Sequence, residues 1–288
     1  IQTPPVQNSL VHQVAKKLSA DLNTTVRINH VNFALFNSML LEGTLIQDQK
    51  KDTLLYAGSV SVNITDWFFF KDKIELKYIG LQDAAIHLNR TDSVWNYQFI
   101  LNYFSGPPSA KKKKNINLNL NQVEFDKVSI IQRDAWRGED MSASIKALDL
   151  NAREINFNKR LILINNLHVD DPYFAIYDYP GLRPPRARGP DTEEEIVNDP
   201  AHLRWNGGGW SVGIDNFLIH DGEFRSDRKT DREPYRNFDG NHILFGNITG
   251  TFTDFKLQND TITAKLSLQT KERSGFEVLS QRDRRISR

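Results

Sequence analysis

The sequence contains no cysteine in its 288 residues. This excludes disulfide bonds, thiolate catalysis and cysteine-ligated zinc or iron–sulfur centres. The sequence also lacks a signal peptide and any apolar run long enough to cross a bilayer. Neither sign of charge is in excess, because 37 basic residues face 36 acidic ones and leave a net charge of +1. That balance argues against a surface dedicated to nucleic acid.

Recognisable catalytic motifs are missing as well. The seven histidines include no H-E-x-x-H pair, and Gly207–Gly209 lacks the lysine and helix of a phosphate-binding loop. No G-x-S-x-G nucleophile elbow is present. Imidazole and carboxylate are neighbours in His168–Asp171 and His220–Asp221, but there the aspartates fit turn positions between strands better. We therefore predict that the chain is not an enzyme and has no catalytic residue, metal or cofactor.

What the sequence does contain is a repeated motif. Each copy has two apolar residues separated by one position, then a few polar residues, then a second apolar step. The copies begin at Ile79, Val123, Leu167 and Phe217, so the intervals are 44, 44 and 50 residues. A period of this size predicts β units that share a continuous core, as in a β-solenoid or a long curved sheet.

The apolar periodicity changes near residue 24. Before it, residues such as Leu10, Val14 and Leu18 recur at helical spacing, which predicts an amphipathic N-terminal helix. After it, the period is 2, most clearly in Ile262–Leu268. The turn-forming residues Gln258–Asp260 precede this run and predict an antiparallel hairpin, which weighs against a parallel β-helix.

A polar stretch rich in proline, glycine and charge interrupts the β pattern at 180–209. Because the motif resumes after it, we predict an insertion within one architecture. The predicted organisation is a helix at 1–24, a β segment at 25–179, the insertion at 180–209 and a second β segment at 210–288. The chain opens at Ile1 rather than Met, so we expect it to be a piece of a larger protein.

Several short sequence segments resemble one family of cell-envelope proteins. Pro4–Gln7 with the helix after it, followed by Thr25–Ile28, resembles the region just after the membrane anchor of TamB/AsmA-like proteins. Further phrases are similar to the Bacteroidetes-type members of that family: Ile46–Asp48, Asp52–Ala57, Trp95–Phe99, Phe238–Asp239, Asn247–Gly250 and Lys271–Phe276. The resemblance covers nearly the whole chain but only the front of a much longer protein.

The resemblance implies a periplasmic protein anchored in the inner membrane through a missing N-terminal segment. It implies an all-β fold: an elongated, curved, mostly antiparallel sheet (a β-taco or β-solenoid-like groove) with the N-terminal amphipathic helix. The implied partners are phospholipid acyl chains and, through a missing C-terminal region, an outer-membrane barrel protein, with no role for nucleic acid. The implied function is phospholipid transport between the two membranes, outer-membrane protein assembly, or both.

The candidate groove residues are the apolar members of the best strands, and sequence leaves open which alternate set lines the groove. They are Val60, Val62, Leu118, Leu120, Phe125, Ile130, Leu148, Leu150, Ile155, Phe157, Leu163, Phe245, Ile262, Leu266 and Leu268. Two alternatives remain. A closed β-sandwich for binding or adhesion would show the same alternation around a sealed core, and a β-helix polysaccharide enzyme would need clustered charges on one face.

Overall fold

The structure, a computed structural model, describes residues 4–34, 38–64, 73–105, 115–156, 159–184 and 206–287. Strands account for 66% of the chain, which confirms the all-β prediction. The elements in chain order are α1 (Pro4–Asp21), β1 (Val26–Arg27), β2 (His30–Ala34), β3 (Ser38–Gln47), β4 (Thr53–Ile64), β5 (Lys73–Arg90), α2 (Gln98–Ser105), β6 (Asn115–Asp134), β7 (Glu139–Asn156), β8 (Leu161–Asp170), β9 (Tyr173–Asp178), β10 (Ser211–Arg228), β11 (His242–Gln258), β12 (Thr261–Glu272) and β13 (Glu277–Ser287).

All of these strands belong to one sheet. Its order is β1-β3-β4-β5-β6-β7-β8-β10-β11-β12-β13, with β2 beside β3, and with β9 placed between β7 and β10. Most neighbours are antiparallel, but β5 and β6 are parallel, and β10 is parallel to both β8 and β9. Since β10 pairs with strands that precede the predicted insertion, the β segments on both sides of 180–209 continue a single sheet.

The predicted N-terminal helix is confirmed as α1. Its last turn is closed by Asn23, a left-handed residue with φ of 50°, and by a hydrogen bond from the Thr24 N–H to the Ser19 carbonyl at 3.0 Å. Its buried Ala15 and the following Leu22, just past the helix end, pack into a cluster with apolar residues of β2, β3 and β4, to which Phe99 and Tyr103 of α2 also contribute. The two helices therefore cover one end of the sheet.

The hairpin predicted in the last third is also confirmed. Gln258 pairs with Thr261 across the two-residue turn Asn259–Asp260, and Asn259 adopts φ of 53°. Asparagine tolerates this conformation better than most side chains do. The turn therefore fixes β11 and β12 as antiparallel neighbours.

The repeated motif coincides with a row of left-handed residues. Asp83, Lys127, Asp171 and Asp221 have φ between 49° and 53°, and each lies four positions after the start of its motif copy. In the sheet, Asp83 lies beside Lys127 and Asp171 beside Asp221. Such a residue advances the side-chain alternation by one position, so the second apolar step of each copy remains on the face of the first.

Lys127 gives a test of this row, because an exposed lysine with positive φ is strained. We expect Lys127→Val to lower the free energy of unfolding by about 1–2 kcal/mol, since a β-branched side chain disfavours this conformation more strongly. Lys146, opposite on β7, is the control: it is an exposed lysine without positive φ, and its solvent-exposed ion pair with Asp170 at 3.2 Å contributes only about 0.5 kcal/mol. Urea unfolding should show a much smaller loss for Lys146→Val, and equal losses would contradict the role assigned to the row.

Four buried carboxyl groups lie at the end of the sheet where β3, β5, β6, β9, β10 and β12 finish, here called the upper end. They are Asp48, Asp134, Asp239 and Glu272, each at most 3% exposed. Each accepts hydrogen bonds from backbone N–H groups of a connection at this end. The buried charges therefore hold the connections between strands in fixed conformations.

Because of the buried carboxylate of Asp239, we expect the connection 229–241 to be sensitive to acid. Hydrogen bonds from Arg232 at 2.7 and 2.8 Å, with those from the Tyr235 and Asn241 N–H groups, hold its pKa well below the ordinary value. Because the folded-state pKa is lowered, the stabilisation is complete above the unfolded value of about 3.9 and is lost as the pH falls below it. We expect the urea midpoint to drop less between pH 5 and pH 2.5 in Asp239→Asn than in the unsubstituted chain. An equal drop in both chains would show that this carboxylate does not contribute.

Candidate functional site

A band of apolar side chains runs across one face of nine strands, β3 to β8 and β10 to β12. In each strand two alternate positions contribute, and the register aligns them from strand to strand. The pairs in sheet order are Met39 and Leu41, Val62 and Val60, Ile79 and Leu81, Val123 and Phe125, Leu150 and Leu148, Leu167 and Val169, Phe217 and Ile219, Phe252 and Gly250, and Leu266 and Leu268. At about 4.8 Å between strands the band is about 38 Å long. We call this side of the sheet the apolar face.

The apolar face continues beyond the row of left-handed residues. Ala57, Ala84 and Val128 are buried there and pack against Leu81 and Phe125 of the band. Farther along, Phe174 stacks on Phe224 with their ring centroids 6.1 Å apart. The apolar face therefore extends from the band towards the upper end.

Most of the band is only half-buried. Val60, Phe125, Leu148, Phe217 and Leu266 all belong to the intermediate exposure class. In a sealed sandwich, inward positions at the centre of a sheet would be buried against a second layer. In the described part of the chain every strand belongs to the one sheet, and the apolar clusters join neighbouring strands or the two helices.

One glycine in the band is required by a close backbone approach. A Cβ added at Gly250 would lie 2.3 Å from the Ser267 carbonyl oxygen and 3.0 Å from the Leu268 Cα. Any larger residue there would push β11 and β12 apart. The gap in the apolar band at this position is therefore a consequence of strand packing.

The register and contacts place most of the sequence-predicted groove residues on the apolar face. Val60, Val62, Phe125, Leu148, Leu150, Leu266 and Leu268 are in the band itself. Leu120 and Ile155 pack in the cluster that includes Leu150 and Leu167. Side-chain alternation and strand pairing place Ile130, Ile262 and Phe245 on the apolar face as well.

Three predicted residues stand apart from this set. Leu163 lies between Ile162 and Ile164, which both pack with the band, so alternation turns Leu163 to the opposite face. There it approaches Gly213, whose added Cβ would lie 3.2 Å from its Cδ2. Phe157 is outside the described residues, and so is the side chain of Leu118.

Sequence reasoning left other members of the band out of the predicted groove. Four of them are Ile79, Val123, Leu167 and Phe217, which begin the four motif copies. The motif itself was therefore the signal that could have found them. The strength of alternation within single strands does not single out these four residues.

The opposite face is polar where the band is apolar. Between the band positions it carries Ser61, Glu124, Asp149 and Ser267, among others. A shallow pocket of about 400 Å³ lies there, partly lined by Tyr78, Glu124, Asp126 and His168. The Tyr78 hydroxyl donates to Glu124 at 2.8 Å; burial and this carboxylate raise the pKa of Tyr78 to about 12. Tyr78 is therefore a hydrogen-bond donor at neutral pH.

The structure also brings histidines to carboxylates that are distant in sequence. His220 lies 2.8 Å from Asp170, and His242 lies 3.0 Å from Asp227 and 3.1 Å from the Thr230 hydroxyl. That hydroxyl also donates to the Arg232 carbonyl oxygen at 3.0 Å. These contacts join neighbouring strands and tie residues 229–241 to the sheet. Among the described residues no group of histidine and acidic side chains could hold a metal ion.

Comparison with known proteins gives no family. No model of a known protein family matches the chain, and no curated protein matches it significantly. Neither helix that the structure describes is both long and apolar enough to cross a bilayer. Membership of the TamB/AsmA-like family stays a prediction that rests on the sequence phrases.

Proposed function

We propose that the apolar face carries phospholipid acyl chains, and that the chain is part of a periplasmic bridge between inner and outer membranes. The observation that supports this most is the apolar band, which is mostly half-buried and in register over the seven strands β5 to β8 and β10 to β12, beyond the end that α1 and α2 cover. A folded chain gains little from such a surface if it stays in contact with water. An acyl chain lying on it would remove both apolar surfaces from water.

The energetic demand of lipid transfer fits such a surface. Two acyl chains with roughly 30 methylenes cost about 24 kcal/mol to expose to water, at about 0.8 kcal/mol each. A barrier of that size limits escape to the order of once a day. From β5 to β12 the band is about 29 Å long, and it would lower the barrier along that length. The head group would remain in water beside the strands.

The remaining parts of the proposal come from the resemblance. Anchoring in the inner membrane and contact with an outer-membrane barrel would lie in segments beyond this chain. Outer-membrane protein assembly is the related task that the same family suggests. The β-sandwich alternative needs a second sheet over the band. Among the described residues no strand supplies one, and α1 and α2 cover the band at β3 and β4.

Adjacent residues on opposite faces allow a direct test of the proposal. Phe217 is in the band, whereas Leu218 next to it is 40% exposed on the polar face. A photoreactive benzophenone side chain at 217 should capture phospholipid when the chain is expressed in the periplasm of a bacterium and irradiated. The same group at 218 should capture much less. Equal capture at both positions, or none at 217, would contradict the proposal.

A further inference from the structure

Several connections at the upper end carry exposed apolar side chains. Six large apolar side chains in the described part of the chain are more than half exposed. Five of them lie in these connections, and the sixth, on β13, lies nearer mid-sheet and lines a shallow pocket with Leu218. They are Val94, Leu182, Tyr235, Phe238, Phe276 and Leu279. Single exposed apolar residues are ordinary, but five in four connections at one end give that end an apolar fringe.

The connections are also rigidly built. In 229–241, which carries Tyr235 and Phe238, the buried Asp239 accepts hydrogen bonds from two backbone N–H groups and from the Arg232 guanidinium. The guanidinium carbon of Arg232 lies 3.7 Å from the centroid of the Tyr235 ring. The two exposed aromatic residues are therefore carried by a loop with a fixed internal frame.

Two further connections are also held by hydrogen bonds. Glu272 accepts a hydrogen bond from the Ser274 N–H at 2.6 Å and so shapes the turn that exposes Phe276. The segment 179–184, which exposes Leu182, lies along the turn 135–138. There the Leu182 and Arg183 N–H groups donate to the Ala135 and Trp136 carbonyl groups, both at 2.9 Å. The tips in these three connections are thus held by polar groups behind them.

The charges among these tips favour one class of partner. In the six connections 48–52, 91–97, 135–138, 179–184, 229–241 and 273–276, eight basic side chains face six acidic ones, including the buried Asp48 and Asp239. Whole-chain charge is balanced, so this excess of two positive charges is local. Aromatic and aliphatic tips mixed with arginine and lysine are typical of surfaces at a bilayer interface, where anionic lipids attract the bases.

We propose that the upper-end connections form a bilayer-contact rim, whose apolar tips enter the interfacial layer of a membrane that contains anionic phospholipid. The tips occupy separate loops spread over about 34 Å, from β5 to β13, at about 4.8 Å between strands. Such an arrangement suits a broad fluid surface, whereas a protein partner is usually met by a contiguous patch. The rim does not depend on the apolar face carrying lipid.

Vesicle co-sedimentation of the whole chain tests the rim. The probe is vesicles of phosphatidylethanolamine and phosphatidylglycerol, with phosphatidylcholine vesicles for comparison. Phe238→Ser combined with Phe276→Ser should reduce the affinity for the anionic vesicles at least tenfold, because both tips leave the interface. Both residues are about 60% exposed, so circular dichroism should show an unchanged fold. Leu218→Ser removes an exposed apolar side chain at mid-sheet and should keep the affinity.

Three results would overturn the inference. A chain that does not sediment with anionic vesicles has no such rim, and its exposed tips would then be sought by a protein partner. Undiminished binding in the double variant, or an equal loss in Leu218→Ser, would show that the tips are not the contact. A chain that binds vesicles but yields no phospholipid on extraction would contradict the proposed function and leave the rim standing.

Discussion

Replacing Leu266 by glutamate is expected to reduce the phospholipid bound by the chain at least tenfold while leaving the sheet folded. Leu266 is a half-buried member of the band, paired with Phe252 on β11. A carboxylate there can stay hydrated in the free protein. An acyl chain laid over it would have to remove that water, which costs several kcal/mol without a partner. A tenfold loss corresponds to about 1.4 kcal/mol, so even partial desolvation suffices.

Ser267 is the matched control for this variant. It follows Leu266 on the same strand, faces the polar side and is exposed. Ser267→Glu adds the same charge without touching the band, so its bound phospholipid should equal that of the unsubstituted chain. Unfolding of Leu266→Glu, seen by circular dichroism, would mean that this position belongs to a sealed core. Equal amounts of bound phospholipid in the two variants would show that the band does not bind lipid.

The largest effect on stability is expected for Asp134→Ala, with a loss of about 3 kcal/mol in the free energy of unfolding. The Asp134 side chain is 2% exposed. It receives two hydrogen bonds from Arg90 and one from the Arg137 N–H at 3.0 Å. Burial opposes ionisation, but these hydrogen bonds outweigh it and lower the pKa of Asp134. Removing the carboxylate would leave the Arg90 charge largely buried without its partner.

An exposed ion pair provides the comparison for that loss. Asp215 lies 3.1 Å from Arg153 with both side chains about half exposed. Asp215→Ala should therefore cost less than about 1 kcal/mol. Urea unfolding of both variants at neutral pH gives the comparison. Similar losses for the two would show that Asp134 does not organise the upper end.

Local sequence signals predicted the elements well. The apolar spacing before residue 24 and the turn at Asn259–Asp260 fixed α1 and the β11–β12 hairpin, because both depend on residues close in the chain. The parallel pairing of β5 with β6 was not predicted. It joins residues 44 positions apart through a connection that contains α2, and no local propensity encodes such a contact.

The sequence does not show which alternate residues of each strand lie on the apolar face, and the reason is physical. A single left-handed residue, such as Asp83, shifts the alternation by one position, so counting by twos through it reverses the two faces. Register shifts beside Asn151 and Ala152 at the β7–β8 pairing have a similar effect. For that reason Leu163 was grouped with the band although it faces the other way.

The most direct test of the central claim is mass spectrometry of organic extracts from the chain after expression in the periplasm and removal of all detergent. The account predicts phospholipid at about one molecule or more per chain, retained in Ser267→Glu and lost in Leu266→Glu. A cooperatively folded chain that yields no phospholipid would contradict it. The apolar band would then be a structural surface and not a path for lipid.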